Sequence, residues 1–474
     1  MTSSATGSQS DVADYSPIQK LPQELLSKIF HHCVSHPISR PGFVRLPNPS
    51  VREAPLKLGR ISRSWRQLVL SDPLLWSRLS LVGRPRDSSL DLVAVGEWLA
   101  RSQLAPLWLA INYAAAYNDE AVEDVNRIIT KVISHSDRWK YLELSLPSPC
   151  KGPILTQLSK ALPNLEFLHI HMKGKSEDRI KVDLSNQTSL KDLTLLAPIQ
   201  FSSSHSAMRN IRTLRMAFPS LDEYFLCLDL CSSVEEVQYT FNYTIDFRPS
   251  ISEPLRILPS IITFSLTPIT DFHMYEPGYA ESLDFGVFLD RLQLPTLREL
   301  VIDSSLWTDC VPTWSHASDL LKRSSAHLEI FKVRYLLHGS DFSECLRQSP
   351  CLKTLLIGSE DIAERMLQTL TEHLDSEKPF VCPQLQRIEL DLYNVLIFER
   401  ADDGVYTNVA ELVVQRWHGG INGAQLSFSS PIRSVAVCSY TGRTVEPFID
   451  YPGIRQCIVD GLVVTSMDEE IHSL

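Results

Sequence analysis

The sequence predicts an α/β fold: a short helical unit at the N-terminus, then an elongated repeat array of parallel strands. Three observations predict it. Residues 18–30 and 58–69 carry apolar side chains at helical spacing. From residue 76 onward one apolar pattern recurs every few tens of residues. Proline repeatedly stands two residues before that pattern. With 474 residues, the chain is too long for one ordinary core, so it holds about two to three domains or one long array.

In chain order, residues 1–15 are polar, Ser-rich and without periodicity, and read as a disordered tail. Apolar residues at 18, 21, 25, 26, 29 and 30 then share one face of a helix. Pro22 sits at its start, where a missing N–H costs nothing, and Glu24 favours the dipole of the first turn. Pro37, Pro41, Pro47, Pro49, Pro55 and Gly42 make 37–55 a loop. A second helix is predicted over Leu58, Ile61, Trp65, Leu68 and Val69, ending before Ser71-Asp72-Pro73. Leu74-Leu75-Trp76 is a third, short apolar stretch.

The recurring pattern is apolar, two any, apolar, one any, apolar. It starts at Trp76, Leu104, Trp139, Leu165, Leu190, Ile211, Val234, Ile261, Leu297, Leu328, Leu352, Leu385, Ile432 and Ile454. At 44% apolar composition, roughly 40 such matches arise by chance, so the pattern alone decides little. Punctuation adds weight: Pro163, Pro259, Pro295, Pro350, Pro383 and Pro452 each precede a start by two residues, where chance supplies about one. Amphipathic stretches at 119–134, 362–374 and 409–417 supply helices between strands. Strands alternating with helices at this period imply right-handed parallel crossovers, hence a leucine-rich-repeat type of solenoid. The usual Asn eight residues after a start occurs only at Asn112 and Asn242, so the solenoid should be irregular. Leu168, Ile170, Leu193, Leu195, Leu300, Ile302, Leu355, Ile357, Ile388 and Leu390 should be buried.

Composition excludes several functions. A net charge of −11 with no Lys/Arg-rich run suits neither nucleic acid nor an anionic membrane. No run of residues is apolar enough for a membrane helix, and the first ten residues lack the marks of a secretory signal. Ten scattered cysteines without a CxxC read as buried thiols in a reducing intracellular compartment, cytoplasmic or nuclear. Cys227 and Cys231 are explained by helical packing, and Cys345, Cys351 and Cys382 have no activating partner in sequence. His31-His32-Cys33 and His36 read as a surface helix end, because metal ligands must converge. No phosphate-binding, dinucleotide-binding, zinc-protease or nucleophile-elbow motif occurs. The expectation is a protein without catalytic residues, metal or cofactor.

Residues 18–76 resemble an F-box, in the stretched F-box-like form abundant in mushroom-forming fungi. The matching segments are Leu21-Pro22-Gln-Glu24-Leu25-Leu26-Ser-Lys-Ile29-Phe30, Leu58-Gly-Arg-Ile61-Ser62-Arg63-Ser-Trp65-Arg66 and Asp72-Pro73-Leu-Leu75-Trp76. Ser62 stands where cysteine is usual, and the spacer is longer than usual. The resemblance implies a three-helix F-box over 16–76, with the Pro-rich insertion 37–55, and a leucine-rich-repeat-like solenoid over 77–474. It also implies docking on a Skp-type adaptor, and through it a cullin, in an SCF-type ubiquitin ligase. The adaptor-binding residues it implies are Leu21, Pro22, Leu25, Ile29, Phe30, Ile61, Trp65 and Leu68. The alternative is an F-box scaffold acting outside any ligase.

In the array, side chains alternate along each strand, so positions two, four and six after a start should face the concave side. This puts Phe167, His169 and His171 there, then Glu299, Val301 and Asp303. Ile330, Lys332 and Arg334 follow, and then Arg387, Glu389 and Asp391. The histidines read as solvated. Exposed Phe167 and Ile330 among charges of both signs fit a protein substrate.

Overall fold

The computed structural model describes residues 18, 21–34, 36–37, 44–82, 88–113, 119–171, 180–196, 199–201, 208–217, 221–241, 254–268, 286–303, 315–334, 342–358, 360–371, 381–391, 404–419, 432–438 and 446–466. The expected tail lies outside them. The chain is mixed α/β and divides into two compact units, 1–142 and 143–474. The boundary inferred from sequence, after residue 76, falls inside the first unit.

In that unit, helix α1 spans Gln23–Val34 and α2 spans Arg63–Ser71. Short 3-10 turns occupy Leu58–Arg60 and Pro73–Trp76. The single helix expected over 58–69 is broken because Ser62 is extended and caps α2: its Oγ accepts from Trp65 N–H at 3.2 Å. Leu26, Phe30 and Val34 form the buried stripe of α1, and Phe30 meets Trp65 at a centroid distance of 4.7 Å. Trp76 is buried, donates from Nε1 to the Val69 carbonyl at 2.8 Å, and packs edge-on against Trp98.

Among the described residues the long sheet has fourteen strands, hydrogen-bonded in chain order. They are β1 Arg78–Val82, β2 Leu107–Asn112, β3 Trp139–Ser145, β4 Phe167–His171, β5 Asp192–Leu196, β6 Thr213–Met216 and β7 Glu236–Phe241. Then come β8 Thr263–Pro268, β9 Glu299–Asp303, β10 Ile330–Arg334, β11 Thr354–Gly358, β12 Arg387–Asp391, β13 Ser434–Cys438 and β14 Val463–Ser466. The pairs β1–β2 and β4 through β14 are parallel. Helices Asp119–Ile133, Glu360–Thr371 and Gly404–Gly419 lie where the amphipathic stretches place them.

The second unit repeats one geometry. At every start from Leu165 to Ile432, the residues at the start and three and five later are buried, including all ten predicted above. One carbonyl per strand, just before it begins, accepts two N–H groups from the next. Glu166 O takes Lys191 N at 2.8 Å and Asp192 N at 3.1 Å, and the pattern continues to Gln386 O, which takes Arg433 N at 2.7 Å and Ser434 N at 3.1 Å. A second set of bonds runs from side chains to carbonyls. Ser189, Asn210, Ser260 and Thr296, each just before a start, donate to the Pro163, Thr188, Ser232 and Pro259 carbonyls of the preceding turn. Polar residues between the turn and the first apolar position were the sequence signal for it.

One start fails. Ile454 opens a helix, Ile454–Val459, and the strand follows at Val463–Ser466. Buried Ile454 and Cys457 stand three apart, a spacing that fits either element, and Gly453 at φ 93° turns the chain into a helix.

Candidate functional site

Two surfaces gather the predicted residues, one in each unit. On the first, α1 is apolar on two adjacent stripes. The inner stripe is core. The outer one is uncovered: Leu25 is 46% and Ile29 is 39% exposed. Pro22 is exposed beside them, and Leu21 is half-buried. From the following segments Ile61 is 58%, Leu74 52% and Leu70 47% exposed. Trp65 and Leu68 are half-buried. Phe30 departs from the expectation. Its side chain is fully buried, so it backs the face from inside and is not itself available for contact.

Asp72 ties these elements together. Its Oδ2 accepts from Ser27 Oγ at 2.6 Å and lies 3.0 Å from His31 Nε2, both on α1. Its Oδ1 accepts from Leu74 N–H at 3.1 Å, capping the 3-10 turn. His31 is thus paired to a carboxylate, and no group of three or more potential metal ligands forms among the described residues.

The second surface is the sheet face opposite the core. The alternation holds, but the histidine expectation does not. His169 is fully buried and its Nε2 lies 3.0 Å from Asp192 Oδ1, whereas His171 is half-buried. Asp192 also receives both oxygens' worth of contact from Arg215 Nη1, at 3.2 and 3.0 Å, and Arg215 Nη2 reaches Glu236 at 2.9 Å. Burial works to raise the Asp192 carboxyl pKa. The His169 hydrogen bond and the Arg215 charge outweigh it and hold it below the ordinary range. This four-strand network was not predicted, because it depends on diagonal neighbours across strands whose register the sequence does not state.

Further along the face, Phe167 and Ile330 are half-buried, less open than expected. Glu299 and Asp303 of β9, Lys332 and Arg334 of β10, and Arg387 and Glu389 of β12 are half-buried too. Their charges pair internally: Lys332 Nζ meets Glu299 at 2.7 Å, and Arg387 Nε meets Glu389 at 2.6 Å. Gly358 lies beside Arg334, where a Cβ would come within 2.9 Å of the Arg334 Cα. Side chains of opposite sign, across adjacent strands at Lys332–Glu299 and along one strand at Arg387–Glu389, neutralise one another before any partner arrives, which the expectation of free charges did not include.

Buried thiols behave as structural groups. Burial pushes Cys382 up to about 12, and Cys227 well above the thiol range. Cys33, on α1, is exposed. No helix of the described residues is long and apolar enough to cross a membrane. No family model matches the chain. A search of curated proteins returns no matching relative.

Proposed function

We propose that this chain is a substrate-receptor subunit of an SCF-type ubiquitin ligase. Its N-terminal helices dock a Skp-type adaptor, and its strand array, an irregular leucine-rich-repeat solenoid, receives a protein substrate. One observation carries the reading: the uncovered outer stripe of α1, Leu25 and Ile29, beside Ile61, Leu70 and Leu74. A helix that is apolar beyond the face its own core covers needs a partner. Leu21-Pro22 and Asp72-Pro73-Leu-Leu75-Trp76 give the motif order that names the partner as a Skp-type adaptor. The one-carbonyl ladder supports the solenoid, since it repeats a single strand register through the second unit.

The test is adaptor affinity of the full chain carrying Leu25→Ala with Ile29→Ala. Both side chains are partly exposed and lie outside the buried stripe of α1, so the fold should be retained, which circular dichroism verifies. Each buried aliphatic side chain contributes about 1.5–3 kcal/mol, so affinity should fall at least about tenfold. Equal adaptor capture by both forms would rule out this face. Recovery of the adaptor without a cullin would favour the scaffold role instead.

A further inference from the structure

We infer that the Pro-rich segment between α1 and α2 is an edge guard: it closes the open edge of β1 and keeps a second copy of this chain from adding its own strand there. The inference stands apart from the adaptor reading, which assigns this segment nothing. β1 ends the fourteen-strand sheet and pairs on one side only, with β2. On that side the Ser77 carbonyl, just before β1, accepts from Trp108 N–H at 2.9 Å. Backbone groups of successive strand residues point to opposite sides, so those of Arg78 and Ser80 point off the sheet. Bare groups at such an edge are a template for another strand. Here each residue has a partner from outside the sheet. Ser80 N–H donates to the Pro47 carbonyl at 2.8 Å. The Arg78 carbonyl accepts from Trp98 Nε1 at 3.1 Å, a buried indole on the helix Ser88–Arg101.

The guard cannot be extended in its turn. Pro47 and Pro49 carry no N–H. The Asn48 N–H donates to Glu53 Oε2 at 2.9 Å, and Asn48 Nδ2 donates to Glu53 Oε1 at 3.2 Å. No N–H of residues 47–49 is therefore left for a further strand. Leu46 and Pro47 are buried, which seats the segment, and Glu53 holds the Pro47 carbonyl in place through Asn48. Prolines and a charged group turned onto the backbone are the means by which natural sheets keep their edges from pairing. The excluded occupant is a second copy, because two identical β1 edges are self-complementary about a two-fold axis.

The experiment compares the native full chain with Glu53→Ala, reading hydrogen exchange at the Ser80 amide and average mass by sedimentation at rising concentration. The native chain should protect Ser80, and its mass should not rise with concentration. Glu53→Ala removes two hydrogen bonds to a charged group, so Ser80 should exchange at least about tenfold faster. The average mass should then climb toward that of a dimer. Glu53→Gln keeps one acceptor oxygen and should give a smaller rise in both, which covers the case where alanine unfolds the unit. Adding Ser80→Pro to Glu53→Ala removes the freed donor from an edge strand that tolerates proline, and should return the mass to the native value. Three results would overturn the inference: Ser80 exchange alike in the native chain and both Glu53 variants, Ser80 opened while the mass stays that of one chain, or association that persists with Ser80→Pro.

Discussion

Asp192 is a carboxylate enclosed by the sheet face, and its ionisation is held by His169 and Arg215 on the two strands beside it. Because its pKa is held below the ordinary value, the folded state binds a proton there less readily than the unfolded chain does. The resulting stability is fully present above about pH 4 and is lost as pH falls through the lowered value. Urea midpoints of the native chain should therefore drop on this acid limb, and Asp192→Asn should lack that component. At pH 7 the same variant leaves the buried Arg215 short of a partner, a loss of about 3 kcal/mol. An acid limb identical in both proteins would mean the carboxylate is not held as described. Little of this network was legible in advance. His169 and His171 alternate correctly, but alternation says which face a side chain takes and not how deeply that face is covered.

Ser62 makes the same point for an element. Apolar spacing from Leu58 to Val69 fits one helix, yet a serine hydroxyl that competes for backbone N–H groups divides it. Ser62→Ala should destabilise the first unit by about 1 kcal/mol, seen as a lower thermal midpoint, and Ser62→Asp should restore most of it. A midpoint unchanged by alanine would show that the cap contributes nothing. Where an element is fixed by burial, the sequence was a good guide: Leu165, Leu168 and Ile170 mark a strand because a pleat sends two of them to one side. At Ile454 the guide failed because three apolar positions fit a short helix as well, and only Gly453 distinguishes them. On the N-terminal face, Leu25, Ile29 and Ile61 were legible through motif order; the buried state of Phe30 was not, since adjacent helix positions straddle the line between core and surface.

Along the fourteen-strand sheet, interactions pass mainly between successive repeats, as expected where each of its strands pairs only with the one before and the one after it in that sheet. Arg416 is one link of this kind. Its guanidinium is buried and donates to the Cys382 carbonyl at 2.9 Å, the Leu370 carbonyl at 3.1 Å and the Val381 carbonyl. Burial lowers its pKa to about 10, so it remains charged at neutral pH. Arg416→Leu strands those carbonyls and should cost about 3 kcal/mol. The damage should stay local: hydrogen exchange ought to quicken across residues 360–371, 381–391 and 404–419 and leave α1 and α2 as they were. Loss of protection throughout the chain would show instead that the two compact units unfold as one.

The carbonyl before each strand fixes only where that strand begins. Gln386 and Arg433 make the usual rung although their starts, Leu385 and Ile432, lie 47 residues apart, and Lys191 and Arg212 make it where the starts, Leu190 and Ile211, lie 21 apart. The array therefore keeps a common frame without keeping a common length. In evolutionary terms, an insertion between two rungs is invisible to every other rung, whereas a one-residue slip within a strand exchanges its inner and outer faces. Descendants of such a chain would diverge fastest in the lengths between starts and slowest in the three apolar positions after them. A search tuned to a constant repeat length would lose the lineage while its framework was still intact.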